Sequence, residues 1–146
     1  MKLLILNGPN INMVGIREKS IYGSVSFSQI IEMIRRHADE KGIEVNCLQS
    51  NHEGDLVDWI QSAWFDQYDG IVMNPGAYTH TSLAIADAVK AIAPIPVIEV
   101  HLSDIDAREE FRHHSYAAPY CRDQIKGHGP AGYLEAIDEL IADAQH

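Results

Sequence analysis

The chain has 146 residues, 46 % of them hydrophobic and 22 % charged, with 21 Asp and Glu against 11 Lys and Arg for a net charge of −10. That is the make-up of one globular domain over residues 1–146, and it excludes a disordered tail, a collagen-like repeat and a coiled-coil rod. So acidic a chain repels phosphate, and no apolar run reaches the roughly 18–20 residues needed to cross a bilayer, so neither nucleic acid nor membrane is expected as a partner.

Residues 3–6 are four consecutive aliphatics stopped by Asn7-Gly8-Pro9-Asn10, the pattern of a fully buried strand running into a loop. Residues 13–24 follow as an unusually long connection, with neither helical nor strand periodicity. A helix is expected over 26–41, where Ser26 and Gln29 have the spacing of a capping box and Gly42 supplies the stop. A second strand over 43–48 leads to a helix over about 54–65, with Leu56, Val57, Ile60 and Trp64 facing inward. The third strand, 69–73, ends at Asn74-Pro75-Gly76, and a helix over about 81–91 precedes the Pro94/Pro96 break and a fourth strand at 97–100. Residues 101–120 read as irregular apart from one helical turn at 107–111. A short strand at 124–126 and a helix starting at Pro130, burying Leu134, Ile137, Leu140 and Ile141, complete the chain.

Strands alternating with helices, the strands being apolar without interruption, mean a parallel sheet covered on both faces. Five strands in this length fit a flavodoxin-like, doubly wound, three-layer α/β fold with strand order 2-1-3-4-5. In that order the segments after strands 1, 3 and 4 leave one edge together. They bring Asn7, Asn10, Asn74, Glu99 and His101 to one crevice at the switch point, where ligands bind. The long loop carries Arg17 and Tyr22, and Gly15 and Gly23 bracket them as hinges for a closing lid.

That crevice has no G-x-G-x-x-G and no phosphate loop, so it offers no cradle for a dinucleotide or nucleoside triphosphate. The eight histidines are scattered, and Cys47 and Cys121 make neither a disulfide scaffold nor a zinc site. Cys121 has no activating neighbour in sequence, so a thiol nucleophile is not expected either. Acid–base chemistry remains, without metal or cofactor. The few apolar residues after Lys2 are too short for a signal peptide, which gives a cytoplasmic expectation.

Asn7-Gly8-Pro9-Asn10-Ile11-Asn12, Gly15-x-Arg17-Glu18 and Tyr22-Gly23 resemble the opening of the type II 3-dehydroquinate dehydratases. The resemblance continues through Gln49-Ser50-Asn51-His52-Glu53-Gly54 and Asn74-Pro75-Gly76-Ala77-Tyr78-Thr79-His80-Thr81-Ser82. It extends over Glu99-Val100-His101-Leu102-Ser103, then 107–115, Gly127-x-Gly129 and Gly132-Tyr133. It implies dehydration of 3-dehydroquinate to 3-dehydroshikimate by a homododecamer built as a tetramer of trimers. That step serves the shikimate route to aromatic amino acids or quinate breakdown. Val14, Lys19, Asp123, Gln124 and His128 depart from the family's usual pattern. The first two fall in the long loop; the other three, near strand 5, bear on packing or assembly and not on the chemistry.

The resemblance assigns Tyr22 as the base that takes a proton beside the ketone, Asn10 as the enolate-stabilising residue acting through a water, and His101 as the acid for the leaving hydroxyl. A tyrosine with a pKa near 10 is only about 0.1 % ionised at pH 7, and lowering that pKa by about two units takes roughly 2.7 kcal/mol. One guanidinium at about 4 Å supplies up to ~4 kcal/mol at an effective dielectric of ~20, so Arg17 is sufficient. Glu99, two residues before His101 on a strand, faces the same side and orients and charges the imidazole. Asn74, His80, Ser103 and Arg112, with the Leu102 backbone, match substrate-binding positions, and Asp87 matches a residue that reaches a neighbouring subunit's site. Two other classes compete: a flavin-carrying electron shuttle, disfavoured by the missing Ser/Thr-rich phosphate loop, and an inactive paralogue, disfavoured by intact Arg17, Tyr22 and His101.

Overall fold

A computed structural model describes residues 1–16 and 25–146, and these build one five-stranded parallel sheet flanked by four helices. The strands are β1 (Lys2–Asn7), β2 (Glu44–Gln49), β3 (Gly70–Asn74), β4 (Val97–His101) and β5 (Asp123–Lys126), in the expected order β2-β1-β3-β4-β5. The helices are α1 (Phe27–Lys41), α2 (Glu53–Phe65), α3 (Leu83–Ala91) and α4 (Ala131–Ala144). Among the described residues no helix is long and apolar enough to cross a membrane.

β1 shows why the sheet needs cover on both sides. Leu3 and Ile5 pack into one core with Ile30 and Ile34 of α1 and Tyr133, Ile137 and Leu140 of α4. Leu4 and Leu6 point the other way, to Leu56 and Ile60 of α2 and Ile85 and Val89 of α3. All four strand residues are fully buried, and each is worth about 1.5–3 kcal/mol in transfer terms. The helix starts are specified locally as well. Ser26 Oγ accepts from the Gln29 N–H at 3.2 Å while Gln29 Oε1 accepts from the Ser26 N–H at 2.8 Å, the reciprocal box read from the sequence. Gly42 closes α1 in the left-handed region at φ 69°.

Three local expectations are corrected. Trp64 is 53 % exposed, because the stripe that α2 buries runs Leu56, Ile60, Ala63 and leaves Trp64 and Phe65 on the outer side. The single turn expected at 107–111 is two 3-10 turns, Ile105–Ala107 and Glu110–Arg112, separated by extended backbone at Arg108. Asp104 starts the first by capping its N-terminus, its carboxylate accepting from the Asp106 N–H at 3.0 Å. In α4 the wholly buried face is Tyr133, Ala136, Ile137 and Leu140, with Leu134 and Ile141 only partly covered.

Register aligns the strand ends that matter. Asn7 lies opposite Asn74, Met73 opposite Glu99, and Glu99 opposite Gln124, so β1, β3, β4 and β5 deliver their last residues to one edge. There the loops after β1 and β3 interlock: the Gly8 N–H donates to Asn74 O at 2.8 Å, and a Cβ on Gly8 would lie 2.3 Å from Pro75 O. Gly76, at φ 62°, returns the contact, with a Cβ meeting Pro9 O at 2.9 Å. Gly8→Ala is therefore expected to cost at least about 2 kcal/mol in chemical denaturation and to lower kcat/KM by moving Asn10 and Asn74 apart. Gly54→Ala, where a Cβ meets nothing, should be neutral or stabilising. Equal stability of the two variants would show that the loops do not lean on each other.

Candidate active site

The crevice at that edge is a concave pocket of about 120 Å³. Asn10 lines it from the loop after β1, Asn74 from the end of β3, and His80 from the turn that follows. His101 at the end of β4 and Leu102 and Ser103 just after it close the crevice, and Arg112 comes from the irregular segment beyond. Seven of the residues singled out from the sequence thus converge. Arg17 and Tyr22 lie outside the described residues, as does most of the expected lid.

Two residues expected at the crevice lie behind it instead. Asn7 is wholly buried, its Oδ1 accepting from the Tyr133 hydroxyl at 2.5 Å, and the same hydroxyl accepts from Asn74 Nδ2 at 3.0 Å. Asn74 Oδ1 in turn accepts from the Gly76 N–H at 3.1 Å, which fixes how the Asn74 amide faces the crevice. Tyr133, on α4 and wholly buried, was visible in sequence only as part of a Gly-Tyr pair. Burial pushes its phenol up, so it stays a neutral relay.

Glu99 is the second. Its carboxylate is fully buried beneath His101, taking His101 Nε2 on Oε2 at 2.9 Å and the Ser115 hydroxyl on Oε1 at 2.6 Å. Gln124 Nε2 also donates to Oε2, at 2.5 Å. Gln124, expected to bear on packing or assembly, therefore touches the carboxylate beneath His101. Burial alone would push the Glu99 carboxyl up, but the hydrogen bond and charge of His101, with the Ser115 and Gln124 donors, hold it below its ordinary value of 4.5. Because Nε2 is committed to Glu99, Nδ1 is the His101 nitrogen left for the crevice.

Across the crevice, His80 Nδ1 donates to His114 O at 2.8 Å. Burial lowers the His80 pKa, and nearby His101 and Arg112 add to the effect, so its Nε2 is a neutral acceptor. Arg108, not singled out from the sequence, also lines the crevice and with Arg112 gives an acidic protein a local cationic wall. Arg112 Nε is itself braced by Glu109 Oε2 at 2.7 Å. Such a wall suits a carboxylate. Asp87, exposed on α3, does not line this chain's own crevice. Among the described residues no three His, Cys, Asp or Glu side chains gather as metal ligands.

The buried carboxylate sets a pH signature. Its folded value lies below 4.5, so its contribution to stability is complete above about pH 4.5 and disappears as pH falls through the lower folded value. Denaturation midpoints measured from pH 6 down to about 3.5 should fall more steeply for the native chain than for Glu99→Gln. Parallel curves would mean that Glu99 is not ionised in the fold.

The family model of class II dehydroquinases matches residues 1–141. The 3-dehydroquinate dehydratase of Caldicellulosiruptor bescii is 56 % identical over 139 residues, covering 95 % of each chain. That of Clostridium perfringens is 54 % identical over 140 residues, 96 % of each. The crystal structure of the type II dehydroquinase from Butyrivibrio crossotus superposes with a TM-score of 0.95 at 53 % identity, covering 97 % of both chains. With residues 1–141 matched by the family model and relatives more than half identical over nearly its whole length, the chain belongs to the class II dehydroquinase family.

Proposed function

We propose that this chain dehydrates 3-dehydroquinate to 3-dehydroshikimate by an anti elimination through an enolate, with Tyr22 as base, Arg17 as its activator and His101 as acid. The enzyme class, a hydro-lyase of the 3-dehydroquinate dehydratase kind, follows from family membership. The observation that carries the mechanism is the His101–Glu99 pair. A buried anion stabilises the charged imidazolium, and the free Nδ1 faces the space where a leaving hydroxyl would sit.

The reaction takes a proton from the carbon beside a ketone and expels hydroxide from the next carbon. Tyr22 removes the proton, and Asn10, through a water, holds the oxygen on which charge develops. His101 Nδ1 then protonates the departing oxygen, and Glu99 steadies the imidazolium before transfer. Arg112, Asn74, His80, Ser103 and the Leu102 backbone bind the substrate's carboxylate and hydroxyls, His80 accepting through Nε2. No electron changes hands, so the step asks for no redox cofactor.

An imine route is disfavoured by the lysines. Among the described residues none lines the crevice: Lys126 is paired with Asp106, Lys41 lies 3.8 Å from Asp138, and Lys2 and Lys90 sit over the Tyr68 and Tyr120 rings. Self-association to a homododecamer, a tetramer of trimers, accounts for Asp87, free of its own crevice to reach a neighbour's. It also accounts for the exposed Trp64 and Phe65 at the C-terminal end of α2 and Leu83 at the N-terminal end of α3. The cytoplasm suits Cys47 and Cys121, free thiols whose pKa values burial pushes up, that of Cys121 to about 12. The step then belongs to aromatic amino acid biosynthesis by the shikimate route, or to quinate breakdown.

Adding 3-dehydroquinate should produce enone absorbance in the ultraviolet; its absence would overturn the activity. Tyr22→Phe should lower kcat by about 10²- to 10⁴-fold with KM little changed, and retention of a tenth of the activity would remove Tyr22 as base. Borohydride added with substrate should neither inactivate the enzyme nor add mass to a lysine, and a trapped adduct would replace the enolate with an imine.

A further inference from the structure

We infer that Gln124 is a positioning residue for the acid of this reaction, clamping the Glu99 carboxylate from the neighbouring strand so that its Oε2 stays on His101. The inference rests on the reading of His101 as proton donor for its consequence in turnover, and on geometry alone for the clamp itself.

β4 and β5 are parallel, and their register sets Glu99 directly opposite Gln124 and His101 opposite Lys126. Side chains opposite one another in such a pair project from the same face of the sheet, so Gln124 and Glu99 meet without any loop having to place them. Gln124 Nε2 reaches Oε2, the oxygen that also accepts from His101 Nε2. Only the amide NH₂ can face a carboxylate; the carbonyl end would set acceptor against acceptor. On the other side, the Ser115 hydroxyl accepts from the Ala118 N–H at 3.1 Å and so turns its own proton to Oε1. The carboxyl is thereby held at both oxygens. Rotation of the Glu99 side chain would break three bonds at once, and in a wholly buried site no water replaces them.

Without the Gln124 amide, Oε2 keeps the imidazole alone. The carboxylate is less well solvated, takes a proton more readily and is free to turn, and both changes disengage His101 from its anion. The other groups facing the pair are His80 and Arg112 across the crevice, the Cys121 thiol, and Lys126 beside His101, held by Asp106. None depends on Gln124 for its place. A glutamine at this position thus acts on proton transfer from a strand that does not line the crevice.

The test is Gln124→Met, which keeps length and volume but donates nothing. With the Glu99 side chain carbon-13 labelled, its carboxyl should titrate about half a unit or more higher than in the native enzyme. kcat should fall about threefold below about pH 4.5 with KM nearly unchanged, and Gln124→Leu, also lacking the donor, should lose it likewise. A Glu99 midpoint within 0.2 units of native, roughly the resolution of such a titration, would overturn the clamp, as would activity lost equally at every pH. A second measurement needs no variant: the Gln124 side-chain N–H of the native protein should resonate downfield and exchange slowly. An ordinary, fast-exchanging amide there contradicts the inference. The titrations do not depend on which substrate is turned over, so failure of the dehydratase assay and failure of the clamp are separate results.

Discussion

A carboxylate with no solvent exposure is the constraint around which this molecule is arranged. Isolated, a buried Glu99 would take up a proton; ionised, it needs donors from the protein, because water is excluded. Three elements supply them: His101 from the same strand, Gln124 from β5, and Ser115 from the segment between. That requirement fixes the β4–β5 register locally, pins the irregular segment back onto the sheet, and hands the crevice an imidazole whose only free nitrogen is Nδ1. The fold and the proposed acid draw on the same bonds.

A second polar core performs the corresponding task one strand over. Asn7, Tyr133 and Asn74 join the ends of β1 and β3 to helix α4 through a single phenolic oxygen, and Gly8 and Gly76 let the two following loops touch backbone to backbone. These contacts tie the crevice floor to the core. Its polar groups are satisfied mostly by one another, with Asn7 Nδ2 and Thr79 Oγ1 left as buried atoms without a partner among the described residues. In a chain of net charge −10 the crevice carries Arg108 and Arg112 together, a local positive potential that suits the carboxylate of the proposed substrate.

The fold was legible because β1 and β3 are apolar on both faces and the helices carry their own start and stop signals, as Ser26, Gln29 and Gly42 show. The crevice followed from topology: a 2-1-3-4-5 sheet must bring the ends of β1, β3 and β4 together, and period two puts Glu99 and His101 on one side. What local pattern cannot carry is contact across long sequence separations. Tyr133 meets Asn7 from 126 positions away and Gln124 meets Glu99 from 25, and neither leaves a periodic trace. Asn7 was misplaced for the same reason, since a strand-end asparagine reads alike whether it faces a ligand or a buried tyrosine. Trp64 failed differently: its spacing from Ile60 fits an inward stripe, but the smaller Ala63 takes the position against the sheet.

The most direct examination of the central claim, that Glu99 is buried and ionised, is infrared difference spectroscopy between the native enzyme and Glu99→Gln at neutral pH. The account predicts that the native protein contributes the paired stretches of a carboxylate and no carbonyl stretch of a protonated acid. A protonated-acid carbonyl band that vanishes in Glu99→Gln would contradict it, leaving His101 without its anion and the mechanism without its acid.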